Sequence, residues 1–387
     1  MPDVTGQRTT LNVNQTSRKI DMVERIKLLE SHETPLFVLT GELPSAATYN
    51  PKFQWQEDEL APRFTAVNNG AGYSSSATSI VVDDGDYLDE GWLFKVTRTG
   101  ELIRVQSAAG DTLTVVRGVG AVAGVAIVDN DEIVVIGPVF AEGTLSPSAR
   151  STNQTDVYNF TEITKTAIEE TGTQHHTDSI NSPNDWEHQA VKAGVEHKKT
   201  LEFKRWHSTR SESTVSGKPL RTSNGVLNSI TTNVFDAGGA YTEDEFYTHM
   251  VPVFRHGSNV KWGFPSPEVI NVLNSFPRTK QQVCQSAITD KYGIKVFEYL
   301  TPHGTLRLVN NRNFEGDELS EYLPILDLAA IRRRYLANKN GSRDTHVQKG
   351  IQANDLDGRK DQWLTEDGLE FSEEVKHALV TAVASAA

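Results

Sequence analysis

The spacing of apolar residues changes several times along this chain, and each spacing predicts a different kind of element. Ile20, Met22, Val23, Ile26 and Leu29 fall on one side of a helix predicted over 18–30, with Lys19, Glu24 and Lys27 elsewhere. Ser17 can cap that helix and Pro35 stops it. A short apolar run at 36–39 follows and reads as buried. At 52–56 the pattern becomes an alternation, with Phe53 and Trp55 between polar Lys52, Gln54 and Gln56. That is a half-buried strand, and with loop-like flanks and no nearby hairpin partner it suits a projecting ribbon. From 66 to 137 come five short β-branched or aromatic runs, at 79–82, 92–96, 102–105, 112–116 and 132–136, divided by Asp and Gly. Strands at such spacing predict a small all-β barrel or sandwich.

Beyond Pro183 the helical period returns. Asn184 or Asp185 opens a helix predicted to run to His207, with a discontinuous apolar stripe and many charges. Its 23 residues (185–207) span about 35 Å, long enough to lie across a domain surface. The rest reads as mixed α/β. Thr242 to Glu245 form a capping box, 267–276 is a short helix, and strands at 294–299 and 305–309 flank a turn. An apolar run at 323–328 and a stretch over 362–371 lead into a last helix predicted over 372–385.

Composition narrows the picture. Only 37% of the 387 residues are hydrophobic and mean hydropathy is −0.43, so much of the chain is surface, arm or loop. The net charge of −13 argues against a sequence-tolerant nucleic-acid clamp and against attraction to anionic lipid. Residues 65–150 hold eleven acidic against five basic side chains, which marks them as a separate, solvated region. Cys284 is the only cysteine, which excludes intrachain disulfides and thiolate zinc sites. No run approaches the roughly 18 apolar residues of a membrane span, and residues 1–14 lack the apolar core of a secretory leader.

Candidate chemistry is sparse. Gly118, Gly120 and Gly124 nearly spell a dinucleotide fingerprint, but the third glycine is one residue late and a β-prone segment follows. Asp83, Asp84, Asp86, Asp89 and Glu90 lack the order of a calcium loop. His188, His197 and His207 stand nine and ten residues apart, too far to share a helical metal site. Nucleophile-elbow, lactamase-type and Walker motifs are missing. The expectation is a protein without enzymatic activity, cofactor or metal.

The order of elements resembles the major capsid protein of tailed bacteriophages, the Hong Kong 97-like fold. Thr34-Pro35-Leu36-Phe37 is similar to the entry after the arm in one branch of such proteins, and 53–61 resembles that branch's first extended-loop strand. Glu142-Gly143, 159–163 and 170–173 resemble the return strand and the approach to the spine helix. Asn311-Arg312 and Leu326-Asp327 resemble axial-domain strand ends, and 365–377 the closing strand and helix. The β-rich region, with Gly100-Glu101, Val105 and 114–118, resembles a small domain inserted in the extended loop of some relatives.

The resemblance implies an α+β subunit with an N-terminal arm (1–33), an extended loop with its base (34–65 and 138–175) and an inserted β domain (66–137). It implies a spine helix and peripheral domain (176–218), a mainly axial domain (219–350) and a C-terminal strand and helix (351–387). It further implies self-assembly into the icosahedral head of a double-stranded DNA phage, as hexamers and pentamers, in the bacterial cytoplasm. Portal, scaffold or decoration proteins would be partners, with no membrane involved. Expected intersubunit residues are Phe53, Trp55, Glu57, Asp58, Ile20, Val23 and Ile26. Lys198, Lys199, Lys204 and Arg205 would make weak contact with packaged DNA. The alternatives are an encapsulin-like compartment and, in a different class, a β-rich carbohydrate-binding or hydrolytic protein.

Overall fold

A computed structural model describes residues 34–146, 149, 151–177, 185–276 and 296–384. The helix expected over 18–30 and Cys284 lie outside the described residues. The chain divides into two compact units, one formed by 1–55 and 156–387, the other by 56–155. In chain order the elements begin with α1 (Pro35–Glu42), β1 (Ser45–Thr48) and β2 (Lys52–Glu57), which leads into the second unit. There follow β3 (Phe64–Ala66), β4 (Ser79–Val81), β5 (Trp92–Val96), β6 (Leu102–Ala109), β7 (Thr112–Val116) and β8 (Glu132–Pro138). Strand β9 (Thr155–Phe160) returns to the first unit, and β10 (Glu162–Thr171), α2 (Gly172–His175) and α3 (Asp185–His207) come next. After them stand β11 (Ser211–Val215), β12 (Lys218–Thr222), α4 (Val226–Ser229), β13 (Val234–Asp236), α5 (Glu243–Val253), β14 (Val260–Gly263) and α6 (Pro267–Ser275). The remaining strands are β15 (Val296–Thr301), β16 (Gly304–Val309), β17 (Leu323–Leu326), β18 (Ile331–Asn338), β19 (Gly341–Ser342), β20 (His346–Gln348), β21 (Gly358–Phe371) and β22 (Ala378–Thr381).

The first unit is built on two sheets. One has the order β1-β18-β21-β10, and its spine is the fourteen-residue β21, antiparallel to β10 over ten residue pairs. The period of two decides what β21 meets on each side. Trp363, Thr365 and Asp367 approach α3, whereas Glu366 and Glu370 on the other face pair with Arg343 and Arg334. The second sheet, β13-β22-β17-β14-β16-β15, packs against α5 and α6 through Phe246, Met250, Val253, Val269, Val272 and Leu273. The capping box of α5 forms as expected: Thr242 Oγ1 accepts from the Glu245 amide while Glu245 accepts from the Thr242 amide. The strands flanking residues 302–303 form the expected hairpin, β15 with β16.

The closing helix expected over 372–385 is not there. Glu374–Lys376 is a single 3-10 turn, and 378–381 is β22, a central strand between β13 and β17. Ala378, Leu379 and Val380 are all buried. A strand covered on both faces shows no alternation, so its continuous apolar run cannot be told from a buried helix by period alone.

In the second unit, six strands run in the order β3-β8-β5-β6-β7-β4. The Val67–Val82 bridge joins the β3 end of this row to the β4 end, so the sheet closes into a barrel. Its interior is filled by Val67, Ile80, Val82, Phe94, Val96, Ile103, Val105, Leu113, Val115 and Ile133. The glycine-rich loop after β7 is held from below by a buried ion pair. Glu101 accepts from Arg117 and from the Gly118 and Val125 amides, while Arg117 donates to the Val125 and Ser74 carbonyls. A complete core and a closed ladder predict that 56–155, expressed alone, unfolds cooperatively with a β-type circular dichroism spectrum. A disordered fragment would contradict it.

A second prediction concerns pH. The Lys261 ammonium is fully buried and donates to Asp327 and to the His256 and Lys376 carbonyls. Burial alone would raise the Asp327 carboxyl, but the Ser258 amide, Lys261 and the Ala329 amide hold it below its ordinary range. The Asp327 amide donates to Nδ1 of His377, whose imidazole is pushed down to about 3 by burial and by Lys261. A histidine neutral in the fold and protonated in the unfolded chain stabilises fully above about pH 6.5 and loses that contribution as pH falls toward its folded value. Denaturation titrations of the wild type should steepen below pH 6.5 by up to about 1.4 kcal/mol per pH unit from this group. His377→Asn, which keeps an acceptor for the Asp327 amide, should show a shallower slope between pH 6.5 and 5; an unchanged slope would refute the assignment.

Candidate functional site

The long helix α3 runs from Asp185 to His207, as the sequence predicts, and lies on the sheet with Ala193, His197, Leu201, Glu202, Arg205 and Trp206 buried. Positions 197, 201 and 205 are four apart and share one face. His197 bridges the sheet, with Nδ1 against Thr166 Oγ1 at 3.0 Å and Nε2 against Thr365 Oγ1 at 2.8 Å. Burial lowers its pKa, so at neutral pH the ring is uncharged.

Helix α1 starts at Pro35, and Thr34 provides no side-chain cap. The cap comes from far along the chain. Glu202, completely buried, accepts from the Leu36 amide at 3.1 Å, the Phe37 amide at 2.6 Å and the Trp206 indole at 2.9 Å. A carboxylate at a helix N-terminus satisfies orphan amides and meets the positive end of the helix dipole. Burial raises the Glu202 carboxyl, against the pull of those three donors. Arg205, one turn on, takes hold of the same short helix: it donates to Thr40 Oγ1 at 2.6 Å and lies over the Phe37 ring at 4.7 Å. Its other arm donates to Asp367 on β21 at 2.7 Å, and Arg333 approaches the same carboxylate at 4.0 Å.

These contacts revise the expected DNA-facing set. Arg205 is not a surface cation: it is buried in the protomer's own ion pair, because it shares the sheet-facing side of α3 with His197 and Leu201. Lys204 pairs with Glu162 and donates to Thr164 on β10. Lys198 is exposed and Lys199 half-buried, so only these two of the four stay outside the seam.

The expected assembly residues are placed as follows. Strand β2 finds its partner in β9, a hundred residues later, forming a two-stranded ribbon. Phe53 is only 7% exposed; it stacks on Trp55 at 6.1 Å and packs over Gly368 of β21, where an added Cβ would come within 3.1 Å of its ring. Phe53 is thus engaged within its own protomer. Trp55 and Glu57 are half-buried, and Asp58 is exposed, accepting from Thr152 at 3.0 Å and Gln154 at 3.4 Å. Lys52 lies over the Tyr158 ring of β9 at 4.1 Å. Ile20, Val23 and Ile26 lie outside the described residues.

Sequence reasoning missed Glu202, Thr40 and Asp367 as members of one polar seam. The available signal was a Glu and an Arg three apart on a helix, each beside buried apolar residues. Their partners are more than 160 residues away and leave no local trace. Removing one member of a buried pair strands the other, which typically costs about 3–5 kcal/mol. Arg205→Met should therefore lower stability by about 3 kcal/mol, near the low end because Arg333 remains close to Asp367. Lys198→Met should stay within about 0.5 kcal/mol of the wild type. Chemical denaturation of both variants is the check, and equal small effects would show that the seam does not hold the fold.

Comparisons with known proteins bear on what this geometry serves. A family model described as the SU10 major capsid protein matches residues 3–384. A major capsid protein of Pseudomonas phage PaMx41 is 23% identical over 368 residues, covering 88% of this chain and 84% of that protein. Among solved structures, the capsid of the native GTA particle is similar at TM-score 0.49 and 8% identity, covering 99% of this chain and all of that one. The SrpI encapsulin of Synechococcus elongatus PCC 7942 is similar at TM-score 0.40 and 12% identity, covering 60% of this chain and 77% of that one. Beside the family match over residues 3–384, the encapsulin alternative is the weaker one. The chain belongs to the SU10 major capsid protein family, whose members are subunits of a phage capsid.

Proposed function

We propose that this capsid protein builds the icosahedral head of a tailed, double-stranded DNA phage, as hexamers and pentamers arranged in the manner of the Hong Kong 97-like fold. The observation that carries the reading is the family match, which runs through both compact units. In this reading β2 and β9 are the strands of the extended loop, and the barrel over 56–155 is carried on that loop. Helix α3 is the spine of the peripheral domain, and the sheet packed on α5 and α6 is the axial domain. Trp55, Glu57 and Asp58 on the ribbon, with Ile20, Val23 and Ile26 of the arm, meet neighbouring subunits. Phe53 instead anchors the ribbon to β21 of its own protomer.

Packaged DNA would be touched weakly, through Lys198 and Lys199. The overall charge of −13 supports weak contact, since a strongly basic wall would bind phosphate tightly and each neutralised phosphate adds about 0.9 to the salt slope. Portal, scaffold and decoration proteins are the further partners of the reading, and the bacterial cytoplasm is the place of assembly. The protein has no catalytic role in this scheme.

Electron microscopy of the expressed protein is the direct test. Closed shells of uniform size are expected, and Trp55→Ser should lower their yield while leaving a folded, soluble protomer. A folded wild-type protein that stays monomeric under all assembly conditions would refute the shell reading; normal shells from Trp55→Ser would refute only the ribbon's part in it.

A further inference from the structure

Strands β11 and β12 form a hairpin of five residue pairs that belongs to none of the large sheets. Every residue from Ser211 to Leu220 is exposed. Isolated two-stranded ribbons are marginal in water, so a persistent one needs local reinforcement or a partner. Reinforcement is visible. The turn residues Ser216 and Gly217 both have positive φ, 51° and 74°, as the two-residue type I′ turn requires. Glu212 and Arg221 pair across the strands at 2.8 Å, and Ser211 and Thr222 bond at the base, also at 2.8 Å. Arg210 anchors the start of the hairpin by donating to the Tyr158 carbonyl at 2.6 Å and lying over its ring.

The two faces of this ribbon differ. Side chains alternate, so Glu212, Thr214, Pro219 and Arg221 share one face, closed by the ion pair. Val215, Leu220 and Lys218 share the other. Val215 is 56% exposed and Leu220 49%; they are diagonal neighbours across the strands and make a small apolar tip. The Lys218 ammonium has no hydrogen bond or ion pair among the described residues. A preformed ribbon loses little freedom on docking, which favours binding through a small contact.

We propose that the apolar face of this hairpin tip, Val215 and Leu220 with Lys218 beside them, docks on a second copy of this chain. The proposal rests on the shell reading above. Charge complementarity chooses the occupant: Lys218 is an unpaired cation at the tip, and each copy carries a net charge of −13. The surface it meets therefore combines an apolar patch with at least one carboxylate. A row of such contacts would repeat with the symmetry of a closed shell.

The test compares the wild type with V215S/L220S and with K218E. Both variants change only exposed side chains, so their protomers should melt as the wild type does. Shell yield, by sedimentation and electron microscopy, should fall about tenfold for V215S/L220S and measurably for K218E. Shells assembled from mixed light and nitrogen-15 chains, treated with a carbodiimide that joins amines to carboxylates, should give Lys218 cross-links joining a light to a heavy peptide. Wild-type yields from both variants, or Lys218 cross-links only within one isotope, would overturn the proposal while leaving the shell reading intact. If the double variant fails to fold, the cross-links on wild-type shells decide the matter. A wild-type chain that forms no shells overturns the shell reading, and this proposal with it.

Discussion

Glu202 and Arg205, three residues apart on the long helix, grip one eight-residue helix from both sides and tie it to a strand from the far end of the chain. Residues near 36, near 205 and near 367 must meet for any of these charges to be satisfied. An unpaired charge in a buried site costs several kcal/mol, so approximate arrangements are penalised more than an apolar contact would penalise them. Buried ion pairs in general add little net stability over a well-packed apolar cluster, whereas leaving one partner unpaired is costly. Around it, Trp206 packs edge-on against Phe264 and Phe314, at 5.3 and 5.0 Å, and supplies the burial.

The same device recurs in the barrel unit and in the second sheet. Glu101 and Arg117 are buried together and between them bond Gly118 and Val125 in the loop after β7 and the Ser74 carbonyl. Lys261 and Asp327 are buried together beside the turn at Gly257. In each case a carboxylate accepts backbone amides of an irregular segment while a cation neutralises it. Irregular backbone has no ladder to satisfy its donors, so it needs such acceptors when covered. A subunit rich in connections and low in apolar content can be held to one conformation in this way.

Local order was legible from the sequence, and distant pairing was not. Both ends of α3 followed from its period, and the capping box at Thr242 placed the start of α5. Five of the six barrel strands followed from β-branched runs and Asp/Gly turns, whereas β3, only three residues long, fell in the stretch read as extended loop. The family resemblance rested on the order of such pieces, which is why it survived errors within them. The role of Arg205 did not follow, since one turn of a charged helix looks the same whether it faces water or a buried carboxylate. Nor did β22, whose apolar run fits a helix equally well until its two neighbouring strands are known. The β11–β12 hairpin had its signal in Ser216-Gly217, but only exposure on every side shows that it stands apart.

The two points where the chain passes between its units lie within side-chain reach of each other: Asp58 accepts from both Thr152 and Gln154. Pinning the ends of a long excursion so close together makes its length nearly irrelevant to the rest of the molecule. Loop-closure entropy grows only logarithmically, about 0.6 kcal/mol for each doubling of length. The barrel meets its own ordering cost through its own core, and its sheet closes on itself without borrowing a strand. A lineage carrying this protein can therefore enlarge, shrink or replace the excursion as a cassette, and the remaining fold registers little beyond two strand ends held side by side.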